Sequence, residues 1–98
     1  MGHTDCGAIK CAVDGDHLQG SMSMVIDRII PVAEVVKDRF PELGRDELLL
    51  EVTKANARHV VNELTERSDV FRNKIAGGEL KIMSALHDLK SGLVEWLD

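Results

Sequence analysis

No apolar run in these 98 residues approaches the length of a membrane-spanning helix, and the start lacks the basic-then-apolar layout of a secretory signal. Cytoplasmic residence is therefore the expectation. Cysteine is scarce. Cys6 and Cys11 are the two present, and a disulfide between them would close a tiny loop beside a predicted helix. They read instead as free thiols or metal ligands in a reducing compartment. No block of Lys or Arg stands out, and 12 basic against 17 acidic side chains give a formal net charge of −5. That balance removes the electrostatic case for nucleic acid or an anionic membrane as partner. Internal repeats and low-complexity stretches are also missing.

What remains has an ordinary composition, 44% hydrophobic and 30% charged, as expected of a globular protein. Ninety-eight residues make one domain with no room for a second core. A domain this small buries a modest share of its surface, so self-association would help to complete it.

The segment from Gly7 to Val13 is rich in helix formers, and Asp14-Gly15-Asp16 breaks it. From Ser21 onward, Val25, Ile26, Ile29, Ile30, Ala33, Val36 and Phe40 recur at intervals of three and four, the stripe of an amphipathic helix. Pro31 removes a backbone donor within that run, which predicts a kink or two abutting helices, and Pro41 closes it. Asp46 is the expected N-cap of a second long helix reaching Arg67, with Leu49, Val52, Asn56, Ala57, Val60 and Leu64 on its buried face. Ser68 can cap a short helix from Asp69 to Ala76, terminated by Gly77-Gly78. The period then changes to two. Leu80, Ile82, Ser84 and Leu86 alternate with their neighbours as a strand does, Asp88 to Gly92 supplies turn chemistry, and Leu93 to Leu97 returns as a hairpin.

The chemistry-bearing residues cluster near the start, in Gly2-His3-Thr4-Asp5-Cys6-Gly7. A histidine and a cysteine three apart can converge on one borderline cation, typically zinc. They supply half of a tetrahedral site. Cys11 falls about a turn and a half further along the same predicted helix, His17 could reach back from its Gly/Asp loop, and a second subunit is the other source of ligands. Asp5 could orient His3 or a bound water, or cap the following helix. A different chemistry would make Cys6 a nucleophile activated by the helix N-terminus and His3, in a Cys-dependent hydrolase. His59 reads as a boundary side chain, His87 as a residue packed before the hairpin turn, and Trp96 as an anchor of the last strand to a helix or to a partner chain. Glu63, Glu66 and Arg67 read as a solvated helix face.

The run Gly2-His3-Thr4-Asp5-Cys6-Gly7-Ala8-Ile9 resembles the second zinc-ligand motif of the β-class carbonic anhydrases, in which a strand ends in Gly-His and Cys-Gly opens the next helix. Asn56 within Ala55-Asn56-Ala57-Arg58 resembles that family's Asn-bearing helix. The stretch from Ser84 to Val94 resembles its closing hairpin, with His87 where the family usually has Tyr and Ser84 where it usually has Gly. The resemblance covers nearly all of the chain but the C-terminal part of the family's length. Family members also bring a Cys-x-Asp-x-Arg segment upstream, supplying another thiolate and an Asp–Arg pair, and two residues precede His3 here.

The resemblance implies an α+β fold, mostly helical, with residues 1–98 as one truncated β-carbonic-anhydrase-like domain closed by a C-terminal β-hairpin. It implies a zinc lyase that hydrates carbon dioxide reversibly to bicarbonate, with His3 and Cys6 on the metal and Asp5 beside it. Without the second thiolate and the Asp–Arg pair, activity is expected to be weak or lost, and whether the chain is an enzyme stays open. The alternative is a catalytically silent oligomeric remnant or binding module. Either way a homo-oligomer is expected, most simply a two-fold dimer burying Ile26, Ile30 and Trp96.

Overall fold

The hydrophobic periods translate into helices and strands in the order β1 (Gly2–His3), α1 (Gly7–Asp14), α2 (Ser21–Arg39), α3 (Arg45–Arg67), α4 (Asp69–Ala76), β2 (Ala85–His87) and β3 (Val94–Trp96). This computed structural model describes residues 1–15 and 20–97. The architecture is α+β and mostly helical, with one small sheet.

Helix α1 stops at Gly15, whose φ of 74° is the left-handed conformation a Cβ would disfavour. One of its C-terminal carbonyls is capped from another helix, the Lys37 ammonium donating to Val13 O at 2.5 Å. Arg45, at the start of α3, forks onto the Asp14 carboxylate and ties the same corner down. Helix α2 runs unbroken through Pro31, where a kink or a division into two helices was expected. Pro31 and Asp27 are both exposed, so the Asp27 carbonyl that loses its partner lies on the wet side of the helix. The buried stripe of α2 is Ile26, Ile29, Ala33 and Val36; Val25 and Phe40 stay exposed.

Helix α3 is capped by Gly44, not by Asp46, which sits in the first turn with Glu47 where a carboxylate meets the positive end of the helix dipole. Its buried residues are Val52, Thr53 and Ala57. Val60 and Leu64 were expected on that face but are 46% and 43% exposed. The core explains why: Ile9, Ala12 and Val13 of α1 and the α2 stripe close around Val52, so it meets the first half of α3. Helix α4 has the expected bounds and cap, the Phe71 amide donating to Ser68 Oγ at 3.2 Å, yet it buries nothing.

The hairpin forms as β2 against β3, antiparallel, pairing Ala85 with Trp96 and His87 with Val94. Its turn is held by Asp88 Oδ1, which accepts from the Lys90 and Ser91 amides at 2.9 and 3.3 Å. The strand is shorter than the alternation predicted: the Leu97 amide still donates to Ser84 O at 2.9 Å, but residues 80–83 find no neighbouring strand to pair with among the described residues. Beyond the hairpin, β1 adds to β2 in parallel, giving the order β1-β2-β3. Trp96 is 67% exposed and so is not packed down onto a helix, which leaves a partner chain as its expected anchor. One expectation is corrected here: Ile26, expected at a dimer face, is fully buried in the chain's own core.

Candidate metal centre

Strand β1 ends at His3, and the chain turns through Thr4 and Asp5 into α1. Three hydrogen bonds pin this end of the ladder. The Thr4 amide donates to His87 O at 3.0 Å, the Leu89 amide donates to Thr4 Oγ1 at 3.0 Å, and Asp88 N closes the hairpin on Leu93 O at 2.9 Å. Asp5 makes the turn with φ of 59°, a left-handed conformation that Asp tolerates better than most residues.

His3 is exposed, and its Nδ1 lies 2.8 Å from the Thr4 carbonyl oxygen. A carbonyl only accepts, so Nδ1 carries the proton and Nε2 of the neutral ring keeps its lone pair. That is the tautomer a metal-binding imidazole needs. Cys6 is the N-cap residue of α1, half-buried, with no side-chain bond to the helix amides. Its thiol is free. The expected capping role of Asp5 is absent: its carboxylate takes the Lys10 ammonium instead. Lys10, through that hydrogen bond and its charge, holds the Asp5 carboxyl below the ordinary carboxylate range, with smaller help from Lys90 and His3.

Cys6 and Asp5 face a cavity of about 300 Å³ whose far wall is α3, with Asp46 and Thr53 on it. His3 is not among its lining residues. Zinc asks for three protein donors and an open position in a catalytic site. Among the described residues no three His, Cys, Asp or Glu side chains gather closely enough to hold a metal. His3 and Cys6 suit zinc in donor type, but a complete catalytic centre does not fit on these residues alone. Cys11 lies inside α1, half-buried against the core, and offers no third donor. His17 falls outside the described residues.

A larger cavity of about 680 Å³ runs between α2 and α3 and shares no residue with the first. Arg28, Arg39, Arg58 and Arg67 rim it, with His59 and Glu63. His59 meets Glu63 Oε1 at 3.0 Å, and Arg28 approaches the other carboxylate oxygen at 3.9 Å. Glu63 and Arg67, expected on a plain solvated face, line this cavity instead. The available signal was the three- and four-residue spacing of charges on two helices that pack together.

Comparison with known proteins agrees with this geometry. The family model described as carbonic anhydrase matches residues 1–94. The chain is 32% identical over 99 aligned residues to carbonic anhydrase 2 of Mycobacterium tuberculosis, in strains H37Rv and CDC 1551 alike, covering 94% of this chain and 44% of the relative. Among solved structures, the β-carbonic anhydrase CafA of Aspergillus fumigatus superposes with a TM-score of 0.83 at 23% identity, over 98% of this chain and 45% of that one. The β-carbonic anhydrase CcaA gives 0.80 at 20% identity, over 98% and 48%. The chain thus spans a little under half the length of the proteins it matches.

Proposed function

The chain belongs to the β-class carbonic anhydrase family, and on that footing we propose that it is a zinc-binding carbonic-anhydrase-like protein with weak or no carbon dioxide hydration of its own. Its 98 residues act in this reading as one domain, with His3 and Cys6 offering an imidazole and a thiolate to the metal. The observation that carries it is the His3 ring, whose Nδ1–H is spent on the Thr4 carbonyl and whose Nε2 is left to coordinate. Bound zinc would supply a water of lowered pKa as nucleophile toward carbon dioxide. This chain's own residues hold the imidazole tautomer, present the thiol at the cavity wall and keep Asp5 ionised beside Lys10.

Low activity is supported by the missing third donor among the described residues. Two ligands bind metal weakly. The two free, half-buried thiols suit a reducing compartment such as the cytoplasm.

One observation favours a second reading, a catalytically silent oligomeric scaffold. Val94 and Trp96 are exposed on the last strand, at an edge of the sheet, and Leu93 is exposed just before it. An apolar edge of this kind is stabilised by a second copy of the chain.

Elemental analysis of the purified protein separates the two. Zinc near one per chain or one per dimer, lost in Cys6→Ser, supports the metal reading; no zinc in the wild-type chain leaves the scaffold.

A further inference from the structure

Arg28 of α2 lies 3.9 Å from Glu63 of α3, so the start of one helix meets the end of the other and the two run antiparallel. The cavity between them follows α3 from Glu51 to Arg67, roughly 24 Å at the helical rise per residue. A volume of about 680 Å³ drawn out over that length is a narrow trench, with room for one slender chain. Its two ends differ. Pro31, Val32, Val35, Val36 and Phe40 line one part, with Ala55 opposite and Arg39 and Glu51 at its mouth. Arg28, His59, Glu63 and Arg67 gather at the other end, where a second hollow of about 350 Å³ shares the same four residues. An acidic chain of net charge −5 thus sets four of its six arginines around one trench.

We propose that this trench binds an amphipathic monocarboxylate, an unbranched acyl chain whose carboxylate meets Arg67 and Arg28 and whose tail lies along Val32, Val35 and Val36 toward Phe40. The site involves neither His3 nor Cys6, and its occupancy does not depend on zinc.

The charges select the head group. Glu63 is already engaged by His59 and Arg28, whereas Arg67 makes no hydrogen bond or ion pair among the described residues. Arg67 therefore gives up no partner when a ligand arrives, and its planar fork matches a carboxylate. Arg28 and Arg67 against Glu63 leave one net positive charge at this end, with His59 neutral, which suits a single carboxylate and not a dianion. The walls select the tail. Val36 is buried, Val32 and Ala55 are half-buried and Val35 is 57% exposed, so a chain laid over them removes apolar surface from water. The volume falls within the ~300–1,000 Å³ of small-molecule sites, whose walls are likewise apolar with a few charged groups. An α-helix of a protein partner, about 10–12 Å across, is too broad for so narrow a trench.

The test is calorimetric titration of the 98-residue chain with decanoate, decanol and acetate, below micelle-forming concentration, with backbone ¹⁵N shifts to place the ligand. Decanoate should bind at one per chain and move the amides of Val32, Val35 and Ala55. Decanol keeps the tail without the charge and should bind at least ~10-fold more weakly; acetate keeps the charge without the tail and should not saturate. Arg67→Gln should weaken decanoate about tenfold, the loss of one charge-assisted hydrogen bond. Arg39→Gln, at the tail end, should leave its affinity within about twofold. Val35→Asp puts a carboxylate in the path of the tail and should abolish binding, while circular dichroism checks that each variant folds. Equal affinity for decanoate and decanol, acetate binding as tightly as decanoate, or unchanged decanoate affinity in Arg67→Gln overturns the proposal. So do shifts confined to the exposed apolar residues of β3.

Discussion

Gly2 lies hard against Thr53: a Cβ added to the glycine would sit 2.9 Å from Thr53 Cγ2 and 3.3 Å from the Thr53 carbonyl oxygen. This close approach seats β1 on α3 and thereby fixes where His3 emerges. Gly2→Ala should destabilise the fold by about 1–3 kcal/mol, the usual cost of overpacking. Thr53→Ser in the same background should restore part of that loss, because it removes the offending methyl and keeps the hydroxyl that donates to Leu49 O at 2.7 Å. Urea unfolding midpoints measure both. An unchanged midpoint in Gly2→Ala would mean that β1 is not seated there.

The core and the far half of α3 should respond differently to truncation. Ile26 is 0% exposed, and Ile26→Ala should cost about 2–5 kcal/mol, a large part of the stability of a domain this size. Val60→Ala, at a position nearly half exposed, should stay within about 0.5 kcal/mol in the isolated chain. Equal losses at the two sites would contradict the core drawn around Val52.

Ser68→Ala removes the hydroxyl that accepts from the Phe71 amide. The expected cost is about 1 kcal/mol, felt in α4 rather than globally, because α4 buries no residue. Amide exchange should accelerate at Phe71 and its neighbours while Val52 keeps its protection.

Two carboxylates set an acid-side dependence. Arg45 holds Asp14 below its ordinary value of 3.8, first through a hydrogen bond and then through charge, and Lys10 does the same for Asp5. Asp14 in turn raises the pKa of Arg45. A carboxyl whose folded pKa is depressed binds fewer protons folded than unfolded, so its contribution is complete above the unfolded value and fades as pH falls through the folded one. Both groups are exposed, so the effect is small. Carboxyl ¹³C titration should place both midpoints below 3.8, and Arg45→Ala should return Asp14 toward that value without moving Asp5.

Much of the helical part was legible because its signals are local. Ser68 capped α4 as its chemistry predicts, and Gly15 ended α1 where a left-handed residue was needed. The buried stripe of α2 followed from its period, but its width did not. Val25 and Phe40 belong to the same apolar run as Ile26 and stay outside, because what covers a helix is decided by its neighbours. Asp46 could pass for a cap by composition, but Gly44 holds that place because the helix begins two residues earlier than the side chains suggest.

The sheet was less legible. Two residues carry no period, so the pairing of Gly2 and His3 with β2 could be reached by resemblance and not from spacing. The residues of the candidate centre were visible as His3, Asp5 and Cys6, whereas the register that sets His87 beside His3 joins residues more than eighty positions apart. Asp5 was readable as a polar residue before a helix, but its choice of Lys10 over the helix amides depends on a left-handed turn that no pattern announces.

In the proposed function, these residues hold zinc without building a working hydration centre. Stopped-flow carbon dioxide hydration by the 98-residue chain at saturating zinc tests it most directly. The rate should lie close to that of zinc in buffer and stay unchanged in Cys6→Ser. Turnover approaching the ~10⁶ s⁻¹ that a zinc-bound hydroxide can reach, abolished by the same substitution, would contradict it.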